Sequence, residues 1–426
     1  MRVTWVQPED LVGHELNQAR EEGKDVDAIE ARWFGAGGSP APAKGASPDP
    51  ASPELRALAG ELLDEIAALA APPVEDTIVG APRLAPVDAP DRIRGAWLGR
   101  AVGCVLGKPV EGLPREGIRA IAESTGNWPV RDYFTARGLD PAVAERWPWN
   151  RASRSTSLRE VIDGIPEDDD LNFTMLAVHL LERTGREFTS ADVAKEWLDY
   201  MPPGRIFTAE RVACRNLLLG LEPPETATHR NPFREWIGAR LRVDAYGWVC
   251  PGDPDRAARL AREDAGVSHV ANGAHAAAFM AAAHAATMAD VSAAEAADVG
   301  LTFVPAASRL GEAIRFAREA TGSWEAVVDA LYERYGSLHW VHAINNTALV
   351  AAAMYRFTTF DEAVGSVVAA GWDTDTNCAA IGSIYGALGP VPERWVEPLH
   401  GRFASSLPTF DAITLDELVA RTVALL

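Results

Sequence analysis

Two short acidic segments have residue types and spacing that could do chemistry. The first is Glu167-Asp168-Asp169-Asp170, directly ahead of Leu171-Asn172-Phe173-Thr174-Met175-Leu176-Ala177-Val178. Leu171, Met175 and Val178 have helical spacing, so the acids sit at a helix start. One or two carboxylates there cap free N–H groups and meet the positive end of the helix dipole. Four in a row exceed that need, because adjacent carboxylates repel and, if partly buried, require a cation or shifted pKa values; a solvated acidic cap accounts equally well for this run taken alone. The second segment is Gly371-Trp372-Asp373-Thr374-Asp375-Thr376-Asn377, ahead of a small-residue helix over 378–388. Its two acids and two hydroxyls are expected on one loop, where they can converge on a point. An Asx-turn would use one acid and one hydroxyl and leave the second acid idle. Oxygen donors without nearby Cys or His suit Mg2+, Mn2+ or Ca2+ rather than zinc. The loop is too short for an EF-hand and lacks its closing Glu.

Three further sites carry polar groups. Glu111 follows Gly107-Lys108-Pro109-Val110, and Pro109 ends the preceding helix and presents Glu111 on a turn; alone, such a residue is an ordinary surface glutamate. The Gly-Lys pair is not a phosphate loop, since the upstream glycine has the wrong spacing and Pro109 replaces the Ser/Thr. Ser268-His269 and Asn272-Gly273 lead into an Ala-rich helix, whose N-terminus could take a diphosphate or ribose; a satisfied core or capping histidine accounts equally well for His269. His339, His342, Asn345 and Asn346 form another polar cluster at a helix start, with no role assigned by spacing. No G-x-S-x-G, H-E-x-x-H or strand-borne G-x-G-x-x-G is present.

The elements that must position these groups are helical. Helical windows run over 273–289, 310–321, 324–335, 344–355, 360–370 and 376–388, whereas strand-like runs are few, the best being Arg2 to Val6. With so little strand signal a parallel nucleotide-binding sheet has nothing to build on, and the fold class is all-α. Gly95, Gly99, Gly103 and Gly107 recur every fourth residue. Each costs about 1 kcal/mol relative to Ala in a helix interior, so the stripe predicts close backbone approach by another element of the core. Residues 1–86 form an N-terminal extension. It holds one or two short helices, a Gly/Pro/Ala/Ser linker over 36–50, a helix capped by Ser52-Pro53 with Leu55, Leu58, Leu62, Ile66 and Leu69 at helical spacing, and a Pro-rich stretch over 71–90. It would dock on the main body, residues 87–426, or on a second subunit.

Composition bounds the partners. The 426 residues carry 40 Lys and Arg against 60 Asp and Glu, a net charge of −20. That argues against a sequence-independent grip on nucleic acid or an anionic membrane. No signal-peptide core or membrane span is expected. The four cysteines, Cys104, Cys214, Cys250 and Cys378, are far apart, which fits a reduced cytoplasmic compartment better than a zinc site or disulfide scaffold.

Taken together and in this order, the segments resemble the ADP-ribosylglycohydrolase family. The family's N-terminal signature is similar to Asp91-Arg92-Ile93-Arg94-Gly95-Ala96 running into Gly103–Gly112 (GCVLGKPVEG). Its metal-binding D-D pair looks like Asp168-Asp169, and its closing G-x-D-T-D-T matches Gly371 to Thr376. The stretches 264–289 and 251–254 are also similar, so the likeness spans residues 91–400. It implies a compact all-α domain with two Mg2+ (or Mn2+) ions in a central cleft. Carried over by position, Glu111, Asp168, Asp169, Asp373, Asp375 and Thr376 would hold metal, with Glu167 added to that set. Glu111 or Asp373 would serve as base, and Ser268, His269, Asn272 and Gly273 would contact substrate. The family usually has Thr where Glu167 and Asp170 stand, and often Asp where Cys104 stands. The implied reaction is attack of metal-activated water on the anomeric carbon of an ADP-ribosyl group, carried by a protein or a small molecule. A free nucleotide or specialised ribosyl metabolite is the alternative substrate, and a non-catalytic ADP-ribose-binding protein is the alternative of another class.

Overall fold

The computed structural model describes residues 3–72 and 77–426. It is helical from Pro8 to Val423, and the only strands among the described residues are Arg402–Phe403 and Ile413–Thr414, paired antiparallel. The expected strand at Arg2 to Val6 is not one: Arg2 lies outside the described residues, and Thr4 and Trp5 make a turn. Residues 73–76 of the Pro-rich stretch also lie outside them.

The middle of the core is the helix Ala271–Thr287, nearly every residue of which is buried. Its alanines are what permit this. Small side chains let the helices Pro254–Ala265, Ala293–Leu301 and Ala343–Arg356 pack closely around it, so one helix is apolar on every side.

The glycine stripe has the close packing that its spacing predicts. The helix Ala89–Gly107 lies against Thr374–Leu388 at backbone contact. A Cβ on Gly95, Gly99 or Gly103 would stand 1.9, 2.0 and 1.9 Å from the carbonyl oxygens of Gly386, Gly382 and Cys378. The facing glycines reciprocate, since a Cβ on Gly382 would meet the Gly99 oxygen at 2.2 Å. At the end of the stripe a Cβ on Gly107 would stand 2.3 Å from the Asp375 nitrogen. The stripe therefore seats the D-T-D-T segment directly on the turn that carries Lys108 and Glu111.

The N-terminal segment folds onto the body. Its helices Pro8–Glu21, Asp27–Gly35 and Pro53–Ala68 bury Leu11, Leu16, Trp33, Leu62 and Ile66 in one cluster with Val212, Phe233 and Trp236 of the body. Ser52 caps the third helix, accepting from the Leu55 N–H at 3.2 Å. Around the cluster run ion pairs: Arg234 to Glu15 and Glu22 at 2.9 and 2.7 Å, and Arg309 to Glu235 at 2.7 Å. Such pairs fix register more than they add stability. The tract 36–50 has no regular structure, yet it is not a free spacer. Asp10 accepts from the Ser47 N–H and hydroxyl at 2.9 and 2.7 Å, the Trp33 indole donates to the Ser39 carbonyl at 2.8 Å, and Ala41 lies where a Cβ on Gly13 would be. A composition without large apolar groups can still strap over a helix through small residues.

Candidate metal centre

Asp168 ends an extended stretch (φ −155°, ψ 152°) and caps the helix Asp169–Thr184, accepting from the Asp170 N–H at 3.0 Å. One acid of the run thus does the capping, which frees the others. Asp170 is buried, 3.2 Å from a guanidinium nitrogen of Arg100 and 3.0 Å from the Thr376 hydroxyl, which donates to it. The Lys108 ammonium lies 2.7 Å from Asp168 and donates to the Glu167 carbonyl at 2.6 Å. The Glu167 carboxylate turns sideways, toward Asn172 at 3.2 Å and Arg205 at 3.2 Å.

The D-T-D-T segment differs from the expected loop. It is the first turn of the helix Thr374–Leu388, with Asp373 as N-cap residue. Two residues at positive φ, Gly371 (80°) and Trp372 (60°), turn the chain into it, and the Trp372 ring is stacked on Tyr332 at 4.2 Å. The Asp373 N–H donates to Asn346 Oδ1 at 3.2 Å, and the Thr374 hydroxyl donates to the Gly107 carbonyl at 2.8 Å. The glycine contact and these two hydrogen bonds make helical geometry available at Thr374, ahead of the expected starts at 376 and 378.

The two helix starts and the Glu111 turn meet. Oxygens of Glu111, Asp373 and Asp375 lie within 4.8 Å of one another, and so do oxygens of Asp168, Asp170 and Asp375. Asp375 is common to both triads. Burial, then the neighbouring charges of Asp375 and Asp168, pushes the Glu111 carboxyl well above its usual range. Asp375 and Asp169 are raised in the same way, and burial pushes Asp170 and Asp373 up to about 7. Carboxylates this crowded stay charged only if positive charge is brought among them.

A model of the ADP-ribosylglycohydrolase family matches residues 85–424. The chain belongs to the ADP-ribosylglycohydrolase family. An uncharacterized protein of Archaeoglobus fulgidus is 30% identical over 327 residues, which cover 75% of this chain and 95% of that protein. A solved structure described as an ADP-ribosylglycohydrolase-related protein complex superposes with a TM-score of 0.48 at 24% identity, covering 79% of this chain and 97% of that one.

In this family member the acids form one end of a cleft of about 400 Å³. The same cleft is lined by aromatic groups, Trp5, Phe207, Trp236, His339 and Trp340, and they begin beside the acids: a Cβ on Gly112 would stand 3.8 Å from the Trp340 ring. His339 is stacked on Trp236, with ring centroids 4.1 Å apart and planes 11° apart. Of the expected metal set, Glu111, Asp168, Asp373 and Asp375 stand in the triads, and Asp169 and Thr376 line the cleft beside them. Glu167 lines the cleft but belongs to neither triad, and Asp170 takes a place in one.

The structure does not bring Ser268, His269, Asn272 and Gly273 to the cleft. Ser268 and His269 are buried and bonded to each other at 2.8 Å, and the Ser268 hydroxyl accepts from Arg242 at 3.0 Å. Burial, reinforced by Arg242, pushes the His269 pKa well below its usual value, so its ring is neutral. Asn272 donates to Glu235 at 2.5 Å and accepts from the Leu310 N–H at 2.9 Å, and a Cβ on Gly273 would lie 2.7 Å from the Arg234 carbonyl. These four are consumed in packing the start of the central helix, and His269 is a core histidine that caps nothing.

Residue spacing missed the cations that support the acids. Fully buried Arg100 bonds Asp170 and Asp244, the latter at 2.8 Å, and also reaches the Leu241 carbonyl. Buried Arg240 donates to Asn377 at 2.6 Å; Asn377 donates to Asn346 at 2.6 Å, which holds the Asp373 backbone. An arginine inside a helical segment gives no sign of which distant carboxylate it serves. The helix-start cluster at 339–346 was a usable signal for Asn346.

Proposed function

We propose that the chain hydrolyses the glycosidic bond of an ADP-ribosyl or related ribosyl group, using two divalent ions, Mg2+ or Mn2+. The observation that carries this reading is the pair of carboxylate triads sharing Asp375. Their donors are all oxygen, and their pKa values, raised first by burial and then by neighbouring carboxylates, report a cost that a hard cation would relieve. Glu111, Asp373 and Asp375 would hold one ion and Asp168, Asp170 and Asp375 the other, with Asp169 and Thr376 at their edge. When bound, such ions lower the pKa of a water and orient vicinal hydroxyls.

The protein's own groups supply the rest. Asn150 bonds Glu111 Oε2 at 2.9 Å, which aims the carboxylate and leaves Oε1 to accept a proton from water. Asp373, fixed through its backbone by Asn346, is the second candidate for that role. Low exposure of the acids keeps bulk water from screening charge that develops on the ribosyl ring. The ADP-ribosyl group can be carried by a protein or a small molecule. The aromatic lining of the cleft favours a free ribosyl small molecule as the second reading.

Residues 87–426 are the catalytic unit in this reading and residues 1–86 its extension. The four cysteines are free and buried, in keeping with a cytoplasmic site of action. No helix among the described residues is long and apolar enough to cross a membrane.

The test is a hydrolysis panel in Mg2+ with ADP-ribosyl-arginine, ADP-ribosyl-serine, O-acetyl-ADP-ribose and simple nucleotides. Turnover of at least one, lost with EDTA and in Asp375→Ala, is expected. Release of ribosyl product from none of them, with metal bound, would overturn the hydrolase and leave a binding protein.

A further inference from the structure

The family match begins at residue 85, yet the cleft has a wall from outside it: Trp5 lines the same cavity as Glu111, Asp168 and Asp375. Several independent contacts hold Trp5 there. Its backbone is left-handed (φ 68°), a conformation that a bulky side chain adopts only when its surroundings impose it. The Trp5 N–H donates to the Gly45 carbonyl at 2.6 Å. The indole lies on Gly45, itself at φ 72°, so closely that a Cβ there would be 2.3 Å from the ring. On either side the body grips the chain: Arg211 donates to the Thr4 hydroxyl at 2.6 Å, and Arg215 to the Val6 carbonyl at 3.1 Å. The ring meets Phe233 and Trp236 edge-on, at 5.4 and 6.2 Å.

All this holds a ring that remains only half-buried, as do His339 and Trp340 in the same wall. A strained, well-held aromatic with open surface toward a cleft is suited to a planar partner. From Trp340, beside the Glu111 turn, the aromatic groups run through His339 and Trp236 to Trp5, so a ligand with its sugar at the acids would lay a flat ring along this wall.

We infer that Trp5 is a specificity-determining residue: with His339 and Trp340 it receives the planar heterocycle of a ribosyl substrate, a purine base in the case of ADP-ribosyl. The N-terminal segment is then part of the substrate site. The inference rests on the ribosyl reading for the sugar end of the ligand, and the heterocycle end can be measured without turnover.

The experiment is calorimetric titration of the Mg2+-loaded protein with adenosine and with ADP-ribose, for wild type, Trp5→Ala, Trp5→Phe and Gly45→Ala. Stacking of a base on an aromatic side chain predicts that Trp5→Ala weakens both ligands about ten- to a hundred-fold. Trp5→Phe should stay within about three-fold of wild type, because a phenyl ring still offers a face. Gly45→Ala keeps the indole but displaces it, and should weaken binding as Trp5→Ala does, so one misfolded variant does not end the test; far-UV circular dichroism identifies it. Where turnover is measurable, Trp5→Ala should raise KM and leave kcat within about three-fold. Wild-type affinities in Trp5→Ala, or no adenosine binding by the wild type, overturns the inference. Adenosine binding that needs Trp5 in a protein that hydrolyses none of the panel sustains it while the hydrolase reading falls. Turnover with an unchanged KM in Trp5→Ala does the reverse.

Discussion

Gly107→Ala tests whether the glycine stripe serves the site or only the core. A Cβ at this position would lie 2.3 Å from the Asp375 nitrogen and 2.4 Å from its Cα. Both atoms are backbone at the N-terminal turn of a buried helix, so no side-chain rotation can relieve the contact. To regain an ordinary separation near 3.4 Å the two segments must part by about 1 Å. Alanine favours a helix over glycine by about 1 kcal/mol. Overpacking a well-packed contact costs about 1–3 kcal/mol and more where only backbone can yield, so the net change is a destabilisation of about 1–2 kcal/mol. The effect on metal should be larger. Asp375 is the acid common to both triads. Mg2+ demands near-ideal octahedral geometry at about 2.0–2.1 Å, so a shift of about 1 Å would remove a ligand from each of the two proposed ions. Mg2+ affinity should fall about 100-fold or more. Thermal melting and calorimetric Mg2+ titration read the two effects. Gly35→Ala is the control: it ends the helix Asp27–Gly35 with nothing within 4 Å of its Cβ position, so it should be neutral or slightly stabilising. If Gly107→Ala melts with the wild type and binds Mg2+ equally well, the close approach does not place Asp375.

Asp375→Ala should abolish binding of both ions, whereas Glu111→Ala should remove one; equal stoichiometry in the two variants would refute the shared-ligand arrangement. Arg100→Met leaves Asp170 and Asp244 buried without their cation and should cost about 3–5 kcal/mol in denaturant unfolding. The acids also set a pH dependence. Asp170 and Asp373 titrate near 7 in the folded protein, above their unfolded values, so the folded state holds more protons and stability is lost as pH rises through 7. His14 and His339, lowered by burial to about 4 and 3, act in the opposite direction below pH 6.5. Melting of EDTA-treated protein from pH 7 to pH 9 isolates the acids: the midpoint should fall, and Mg2+ should restore it. A midpoint that rises over that range would contradict the raised pKa values.

Much of the fold was legible because it is written in periodic features. Leu55, Leu58, Leu62 and Ile66 repeat at helical spacing, and the helix Pro53–Ala68 follows them. The glycine stripe announced a backbone contact, though not its partner, because the matching glycines Gly382 and Gly386 lie almost three hundred residues away. At the site, residue type sufficed for the acids and failed for the groups that support them. Arg100 and Lys108 reach the carboxylates, and Arg240 reaches Asn377, through folding alone, and no spacing links Asn346 to Asp373. Ser268 and His269 misled for a related reason. A polar pair at a helix N-terminus looks the same in sequence whether it faces a ligand or Arg242, and only burial tells the two apart.

The placement of the buried cations supports the proposal that the acidic cluster binds metal. Arg100 is turned to Asp170 and Asp244, Arg240 to Asn377, and Lys108 to Asp168. None of them bonds Glu111, Asp373 or Asp375, the triad nearest the Glu111 turn. A protein that needed only to neutralise its acids would place a guanidinium there, where bidentate pairing is most effective. Instead burial and mutual repulsion push Glu111 and Asp375 far above the ordinary carboxylate range. Folding has collected these charges at a cost and left one part of them without a direct ion pair among the described residues. In the proposed reading the compensating charge is exchangeable: protons at low pH, divalent ions when they are available. Those two occupants compete for the same oxygens, so metal affinity should rise with pH as the acids lose their protons. A Mg2+ affinity that stays flat between pH 6 and 8 would mean that these carboxylates were never the ligands.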